Sequence, residues 1–133
     1  MSRHARMRLA VLVLVQVLGV LACGDDGTGP RAGTLAIRLG TPHAGADGAI
    51  LFTVAGPVAP AGASAPTGLR VFYDSLGATT TFAVTGTLPA GTIARIQVED
   101  VGRAGEYAAV IQQVAAADYT MRQLAGYTLT VAR

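Results

Sequence analysis

Few side chains in this 133-residue sequence have the types that catalysis requires. Beyond residue 23 there is one histidine, His43, and no cysteine. This combination excludes an ordinary structural zinc site and a Cys–His dyad. A Ser–His–acid triad is open only through Ser64 or Ser75, and neither lies in the Gly-x-Ser-x-Gly turn that exposes a nucleophilic serine. We therefore expect no catalytic residue and an exposed loop position for His43.

The acidic residues give an equally weak signal for a metal. Glu99 and Asp100 form an adjacent pair after a strand-like run, with Glu106 and Asp118 downstream. A calcium site needs several oxygens converging from loops, but the Asp-x-Asp-x-Asp-Gly spacing is missing. A glycosidase pair is not supported either, because tryptophan is absent and substrate-stacking rings are few. The sequence thus predicts no metal and no cofactor.

Seven aromatic rings, four Tyr and three Phe, are the whole supply for ligand stacking. Most are expected in core or half-buried positions, and an exposed row of Tyr and Phe is the arrangement that sugar binding would need. Phe72 alternates with Val71 and Tyr73. Its side chain is therefore predicted either to face outward or to enter the second layer of a sandwich.

The N-terminal segment has the pattern of a secretion signal. Residues 1–8 carry three arginines and no acid, and residues 9–22 are apolar except at Gln16. A 14-residue helix rises about 21 Å, short of the roughly 30 Å hydrocarbon core. The length therefore favours a signal-peptide core over a membrane span.

This apolar run ends in Val20, Leu21, Ala22 and Cys23, which resembles the lipobox of bacterial lipoproteins. The resemblance implies cleavage before Cys23, diacylation of its thiol and further acylation of its amine. Two or three chains give a durable anchor where one chain gives only marginal binding. Because Cys23 is the only cysteine, the alternative, an ordinary cleaved signal, leaves an unpaired thiol in an oxidising compartment. Gly24 instead of Asp after the cysteine favours the outer membrane within that family.

The net positive charge of the chain comes from the predicted signal peptide. All ten basic residues are arginine, and three of them precede residue 9. From Cys23 onward seven arginines face eight acidic residues, a net charge of −1. We therefore expect no nucleic-acid binding.

The composition divides the chain into a signal peptide over residues 1–22, a tether over 23–33 and one domain over 34–133. Glycine, proline and two acids dominate the tether, which has almost nothing to bury. Short apolar alternations separated by Gly and Pro clusters predict strands in the domain. The alternating apolar sets are Leu35/Ile37/Leu39, Ile50/Phe52/Val54, Leu69/Val71/Tyr73, Thr80/Phe82/Val84, Ala94/Ile96/Val98 and Tyr127/Leu129/Val131. The predicted fold is all-β, a small antiparallel β-sandwich of about seven strands after a signal helix and a flexible tether.

One segment favours a second interpretation. Residues 106–125 are rich in helix formers, and Gly126 stands where a helix would end. An amphipathic helix is therefore one alternative. The preferred one is a strand over Tyr107–Val114 followed by a loop or single helical turn.

The preference for a strand comes from a resemblance. The runs at residues 48–54, 91–98, 104–111 and 126–131 resemble, in order and in glycine placement, the cohesin-like and carbohydrate-binding-module-like β-sandwiches of secreted bacterial proteins. The resemblance implies a sandwich fold. It supplies no set of residues that matches a dockerin-binding face or a glycan-binding row.

Together these features predict a lipid-anchored protein of the bacterial cell envelope, on the outer membrane, carrying a non-catalytic structural or protein-interaction module. Its partners are the bilayer, through acylated Cys23, and an envelope protein that binds sheet edges or loops. The alternative function is a carbohydrate-binding module for envelope or extracellular polysaccharide.

Replacing Cys23 tests the anchor. We expect Cys23→Ala either to release the protein from the membrane fraction or to leave its precursor uncleaved, because the acylated thiol is the proposed attachment. Fractionation of cells followed by immunoblotting measures both. Unchanged processing and unchanged membrane association would contradict the lipobox assignment.

Overall fold

The computed structural model describes residues 29–133. The predicted signal peptide, Cys23 and residues 24–28 of the predicted tether lie outside the described residues. Eight strands and one short 3-10 helix make up the described part. They are β1 (Gly33–Gly40), β2 (Asp47–Ala55), β3 (Gly62–Ser64), β4 (Arg70–Leu76), β5 (Thr79–Leu88), β6 (Gly91–Val98), the 3-10 helix Val101–Glu106, β7 (Ala108–Ala116) and β8 (Thr128–Ala132).

The strands form two four-stranded antiparallel sheets, ordered β3-β6-β1-β8 and β4-β5-β2-β7. Alternate side chains of each sheet point into a shared core, as the period-two pattern requires. The predicted all-β sandwich is thus confirmed. The core consists of Leu35, Ile37, Leu39, Ile50, Phe52, Val54, Phe82, Val84, Leu88, Ile93, Ala94, Ile96, Val98, Tyr107, Val114 and Tyr127.

The centre of the core lies between β2 and β5. Phe52 and Phe82 face each other across this strand pair and are fully buried, with ring centroids 5.2 Å apart and planes 12° apart. Val54 and Val84 continue the same inward rows. Because both strands are interior in their sheet, their inward residues are covered on every side.

The number and limits of the strands differ slightly from the prediction. None of the predicted strands falls in residues 56–68, which contain three prolines and three glycines, but Gly62–Ser64 pairs with β6 as β3. Three residues without periodicity or β-branched side chains give no strand signal, so this pairing depends on the neighbouring strand. At the N-terminal boundary, β1 begins at Gly33, and the Arg31 carbonyl already accepts a hydrogen bond from the Val101 N–H.

The ambiguous segment is a strand. Ala108–Ala116 pairs with β2, and residues 117–127 form a connector that turns back toward β8. A bulge in the pairing between Leu51 and Phe52 accommodates the additional residue on β7. The preferred strand interpretation is confirmed, and the helix alternative is wrong. The helix formers in this segment yield to pairing with a central strand.

The two ends of the sandwich carry different elements. At one end, here called the Gly33 end, β1 begins and the 3-10 helix packs: the Gly33 Cα lies against Val101, and Gly56 after β2 lies against the Tyr107 ring. At the opposite end, here called the Asp47 end, β2 begins and the connector crosses over. In the described residues, no helix has the length and apolarity needed to cross a membrane.

Truncation of the central ring tests this packing. We expect Phe52→Ala to lower the free energy of unfolding by about 3–5 kcal/mol, because the deletion leaves a cavity between two covered strands. Urea denaturation of the purified protein measures it. The control is Val110→Ala, the truncation of a side chain on β7 that is 55% exposed, which we expect to cost far less. Equal losses at the two positions would contradict the assigned core.

Candidate functional site

A buried polar cluster closes the Asp47 end. Asp47, the first residue of β2, is almost completely buried. Its Oδ1 accepts a hydrogen bond from Arg122 Nε at 2.9 Å, and its Oδ2 accepts from the Tyr127 hydroxyl at 2.7 Å and from Thr41 Oγ1 at 3.1 Å. Thr41 belongs to the β1–β2 loop, whereas Arg122 and Tyr127 belong to the middle and the end of the connector. One carboxylate therefore joins the β1–β2 loop to two points of the connector.

His43 extends this cluster to the surface. Its Nδ1 lies 3.0 Å from the Tyr127 hydroxyl, and the two rings are stacked with centroids 6.1 Å apart. A tyrosine hydroxyl has one proton, which here goes to Asp47, so its oxygen accepts from His43. Because the Tyr127 oxygen can only accept here, we assign the imidazole of His43 the tautomer with its proton on Nδ1. The exposed loop position expected for His43 is what the structure shows.

The environment of Asp47 keeps it ionised. Burial acts to raise the pKa of Asp47, but hydrogen bonds from Tyr127, Arg122 and Thr41 outweigh it, so the pKa lies below its ordinary value. The pKa of Tyr127 is raised by burial and by its bond to the carboxylate. Hydrogen bonding to Asp47 likewise raises the pKa of Arg122. The side chain of Arg122 is 24% exposed, so this ion pair is only partly desolvated.

The buried polar groups of the cluster form their hydrogen bonds with one another. Within residues 29–133 every buried side-chain nitrogen and oxygen has a hydrogen-bond partner. Both oxygens of Asp47 and the hydroxyl proton of Tyr127 are engaged inside the protein. Such a network stabilises one arrangement of the loops.

The serines singled out from the sequence do not join His43. Ser75, on β4, has its Oγ 2.9 Å from Thr80 Oγ1, and Ser64 is exposed on β3 in the other sheet. His43 instead bonds to Tyr127. The structure therefore does not bring the components of a Ser–His–acid triad together.

The four acidic residues considered for calcium serve local roles or stay exposed. Asp100 accepts from Gly102 N at 2.9 Å and caps the 3-10 helix, and Asp118 accepts from Thr120 N at 3.0 Å. Glu106 pairs with Arg103, and Glu99 is exposed. In the described part of the chain, no three His, Cys, Asp or Glu side chains converge on a point that a metal ion could occupy.

The exposed rings do not form a row. Phe72 and Tyr73 are neighbours on β4, so their side chains lie on opposite faces. Phe72 faces outward, whereas Tyr73 packs toward Phe82 with centroids 5.8 Å apart. Tyr119 is exposed in the connector at the Asp47 end, with a φ of +67°.

The outer face of the β4-β5-β2-β7 sheet is the most distinctive surface. Outward positions of β5 and β2 are threonine, alanine and leucine, and none of these outward residues is charged. On the other sheet, by comparison, Arg38 and Arg95 project outward as exposed residues. The charge-poor face ends at β4, where Phe72 and Leu76 are exposed at 57% and 88%.

β4 is also an edge strand with an unpaired side. Within residues 29–133, it pairs with β5 over its whole length and with no strand beyond it. Leu76 and Thr79 flank the two-residue turn Gly77-Ala78, and the pair that flanks such a turn is hydrogen-bonded. By alternation, the N–H and C=O groups of Val71, Tyr73 and Ser75 point away from β5. These groups are free to pair with another strand.

β7, at the other edge of this sheet, is partly covered. The connector returns along it: Ala115 pairs with Met121, and the Arg122 N–H donates to the Val114 carbonyl at 2.8 Å. A hydrogen bond of 2.8 Å from Ala116 N to Thr120 O completes the cover. Within the described residues, β4 is therefore open along its whole length, whereas β7 is open only over residues 108–113.

Sequence reasoning missed the central members of the polar cluster. Asp47 and Arg122 are 75 residues apart, and neither belongs to a recognisable motif. Tyr127 was noted only as an apolar member of the last strand. The one local signal is a charged residue at the start of a strongly alternating strand, which indicates a partner without identifying it. The lipobox residues Val20, Leu21, Ala22 and Cys23 lie outside the described residues.

No family model matches this chain, and comparison with curated proteins and with solved structures gave no significant match. The resemblance to cohesin-like and carbohydrate-binding-module-like sandwiches stays a prediction about family.

The Asp47 cluster predicts an acid-sensitive stability. The folded-state pKa of Asp47 is lowered, so its contribution is fully present above the unfolded pKa of about 3.9 and is lost as pH falls through the folded value. We expect Asp47→Asn to lower the free energy of unfolding at pH 7 by about 1–3 kcal/mol. We also expect it to flatten the loss of stability below about pH 4.

Urea denaturation between pH 7 and pH 3 measures both effects. Glu99→Gln is the matched control, because it removes an exposed carboxylate outside the cluster. An Asp47→Asn protein with unchanged stability and an unchanged acid limb would show that the carboxylate does not hold these loops.

Proposed function

We propose that this protein is a lipid-anchored component of the bacterial cell envelope, on the outer membrane. Its β-sandwich is a non-catalytic interaction module that binds a protein partner along the free edge of β4. The observation that carries the proposal is β4 itself: an open edge strand with exposed apolar side chains, bordering a charge-poor sheet face.

The sequence supports the anchor. A basic segment precedes the 14-residue apolar run, the last three residues of that run are Val20-Leu21-Ala22 and Cys23 follows directly; the sequence has no second cysteine with which Cys23 could pair. Acylation gives this cysteine a role. The localisation in the proposal rests on these residues and on Gly24.

The free edge of β4 supports the mode of binding. Val71, Tyr73 and Ser75 direct unpaired N–H and C=O groups away from the sheet, so an extended partner segment can add as a fifth strand. Main-chain hydrogen bonds would supply affinity. Phe72 and Leu76 on the outer side, and Tyr73 on the inner side, would supply side-chain contacts.

The other strand edges are less suited to this role. β3 has three residues, and the connector covers the last third of β7, residues 114–116. β8 has five residues, against seven in β4. β4 combines length, exposure and an uncovered side.

A polysaccharide ligand is the alternative function. Flat sugar rings stack on coplanar exposed aromatics, but Phe72 and Tyr73 lie on opposite faces of β4, and Tyr119 belongs to the connector. The arrangement of rings thus favours the protein partner.

Site-specific photo-crosslinking in intact cells tests the proposal. A benzoyl-phenylalanine in place of Phe72 in the full chain is expected to give a discrete protein adduct, because this ring borders the proposed partner strand. The same probe in place of Val110, which is 55% exposed on β7, is the matched control and is expected to give none. Adding Val71→Pro, which removes an N–H from the free edge, should abolish the adduct.

Equal adducts at residues 72 and 110, or none at residue 72, would contradict the assignment of β4. Sedimentation of the protein with insoluble envelope polysaccharide runs in parallel. Retention on polysaccharide without a protein adduct would establish the alternative.

A further inference from the structure

We propose that the partner at the β4 edge is a second copy of this chain, joined by antiparallel pairing of the two β4 strands about Phe72. The inference rests on the proposed function only in taking β4 as the binding edge. Its basis is the order of charges along the strand.

β4 is complementary to itself when reversed. With Phe72 opposite Phe72 of the second copy, Arg70 faces Asp74 of that copy, and Asp74 faces its Arg70. All three residues are two apart and share the outer face. The pairing therefore places an aromatic pair between two pairs of opposite charges, each of which favours cross-strand association.

The backbone has the alternation that this pairing requires. Val71 and Tyr73 face one another between the copies, and both direct their N–H and C=O groups to the free edge, so they form hydrogen-bonded pairs. The Phe72 pair is then a non-hydrogen-bonded one, in which the Cα atoms approach to about 4.5 Å and side chains lie closest. The inner-face contact is Val71 against Tyr73, continuing the apolar layer.

The charges of β4 have no partner in their own chain within the described residues. Arg70 lies opposite Thr85 on β5, and Asp74 lies opposite Thr81. No ion pair or side-chain hydrogen bond involves either residue in the part that the structure describes. Two opposite charges are thus held on an otherwise charge-poor face, where they are available to a partner.

The same charges select one register. Displacing the centre by one residue, to Val71 or Tyr73, keeps outward residues opposite outward residues but places Phe72 against a charged residue, Arg70 or Asp74. Neither displacement forms an opposite-charge pair. The competing edge, β7, has no charged residue between Ala108 and Ala116 to fix a register. Charge complementarity therefore favours β4 with a centre at Phe72.

The pairing has a consequence for the anchored protein. Leu76 lies at the Gly33 end of the sandwich, because Ala78, in the turn that follows it, accepts a hydrogen bond from Gly56 N. Antiparallel pairing places the Gly33 ends of the two copies at opposite ends of one eight-stranded sheet. When both copies are anchored in one bilayer, their tethers therefore start from opposite ends of the joined sheet.

Disulfide trapping in native membranes tests the inference with the full chain. Phe72→Cys should give a dimer under mild oxidation, because a non-hydrogen-bonded pair brings the two Cα atoms within disulfide range. Arg70→Cys and Asp74→Cys should link to each other when coexpressed and only weakly when each is alone. The wild-type chain, with Cys23, gives the background, and Val110→Cys gives the level of random collision.

Charge variants in the Phe72→Cys chain provide the second arm. Arg70→Asp and Asp74→Arg should each lower the trapped fraction by about tenfold, because each variant replaces two attractive pairs with two repulsive ones. Coexpression of the two single variants should restore trapping, now as a mixed dimer, and so should the double variant within one chain. Arg38→Asp, an exposed charge reversal on the other sheet, is the matched control and should change nothing.

Trapping at residue 72 with rescue by the mixed charges supports the second copy as partner. Trapping no greater than that of Val110→Cys, or trapping insensitive to Arg70→Asp, overturns it. A photo-adduct at residue 72 with a different protein, without the disulfide dimer, also overturns it and leaves the proposed function intact.

Discussion

The buried carboxylate of Asp47 is the interaction on which the arrangement of this sandwich depends. A charge at the first position of a central strand is costly unless it is paired and hydrogen-bonded. Arg122, Tyr127 and Thr41 meet that requirement together. They can do so only if the middle and the end of the connector and the β1–β2 loop converge on the same end of the fold.

This convergence also decides which edge of the sandwich is open. Reaching Asp47 brings Arg122 alongside β7, where its N–H bonds to Val114 and Met121 pairs with Ala115. The connector therefore covers residues 114–116, the last third of one edge of the β4-β5-β2-β7 sheet. The opposite edge, β4, has no such cover, and its Phe72 and Leu76 remain exposed. The Asp47 cluster thus holds the connector on β7, and the edge that remains available for binding is β4, on the opposite side of the same sheet.

Natural sheets usually protect a long edge with charges, prolines or bulges. β4 has only Arg70 and Asp74, and their order along the strand is matched to a reversed copy of itself. Arg70 and Asp74 disfavour pairing with strands whose charges do not match, but they favour pairing with a reversed copy of β4. The proposed dimer explains both why the edge is left open and why its two charges have opposite signs.

The sequence alone was sufficient for the fold class, because period-two alternation at Ile50, Phe52 and Val54 depends only on which face of a strand is buried. It also indicated the lipobox around Cys23, which is a local pattern. It did not reveal β3, whose pairing depends on its neighbour β6, nor settle residues 108–116, where helix propensity competes with strand pairing. The strand over Leu69, Val71 and Tyr73 was found, but the exposure of Tyr73 follows from its place at an edge. The tertiary structure decided two features: the ion pair between Asp47 and Arg122, and the absence of a neighbouring described strand beyond β4. Both depend on which segments meet across the fold.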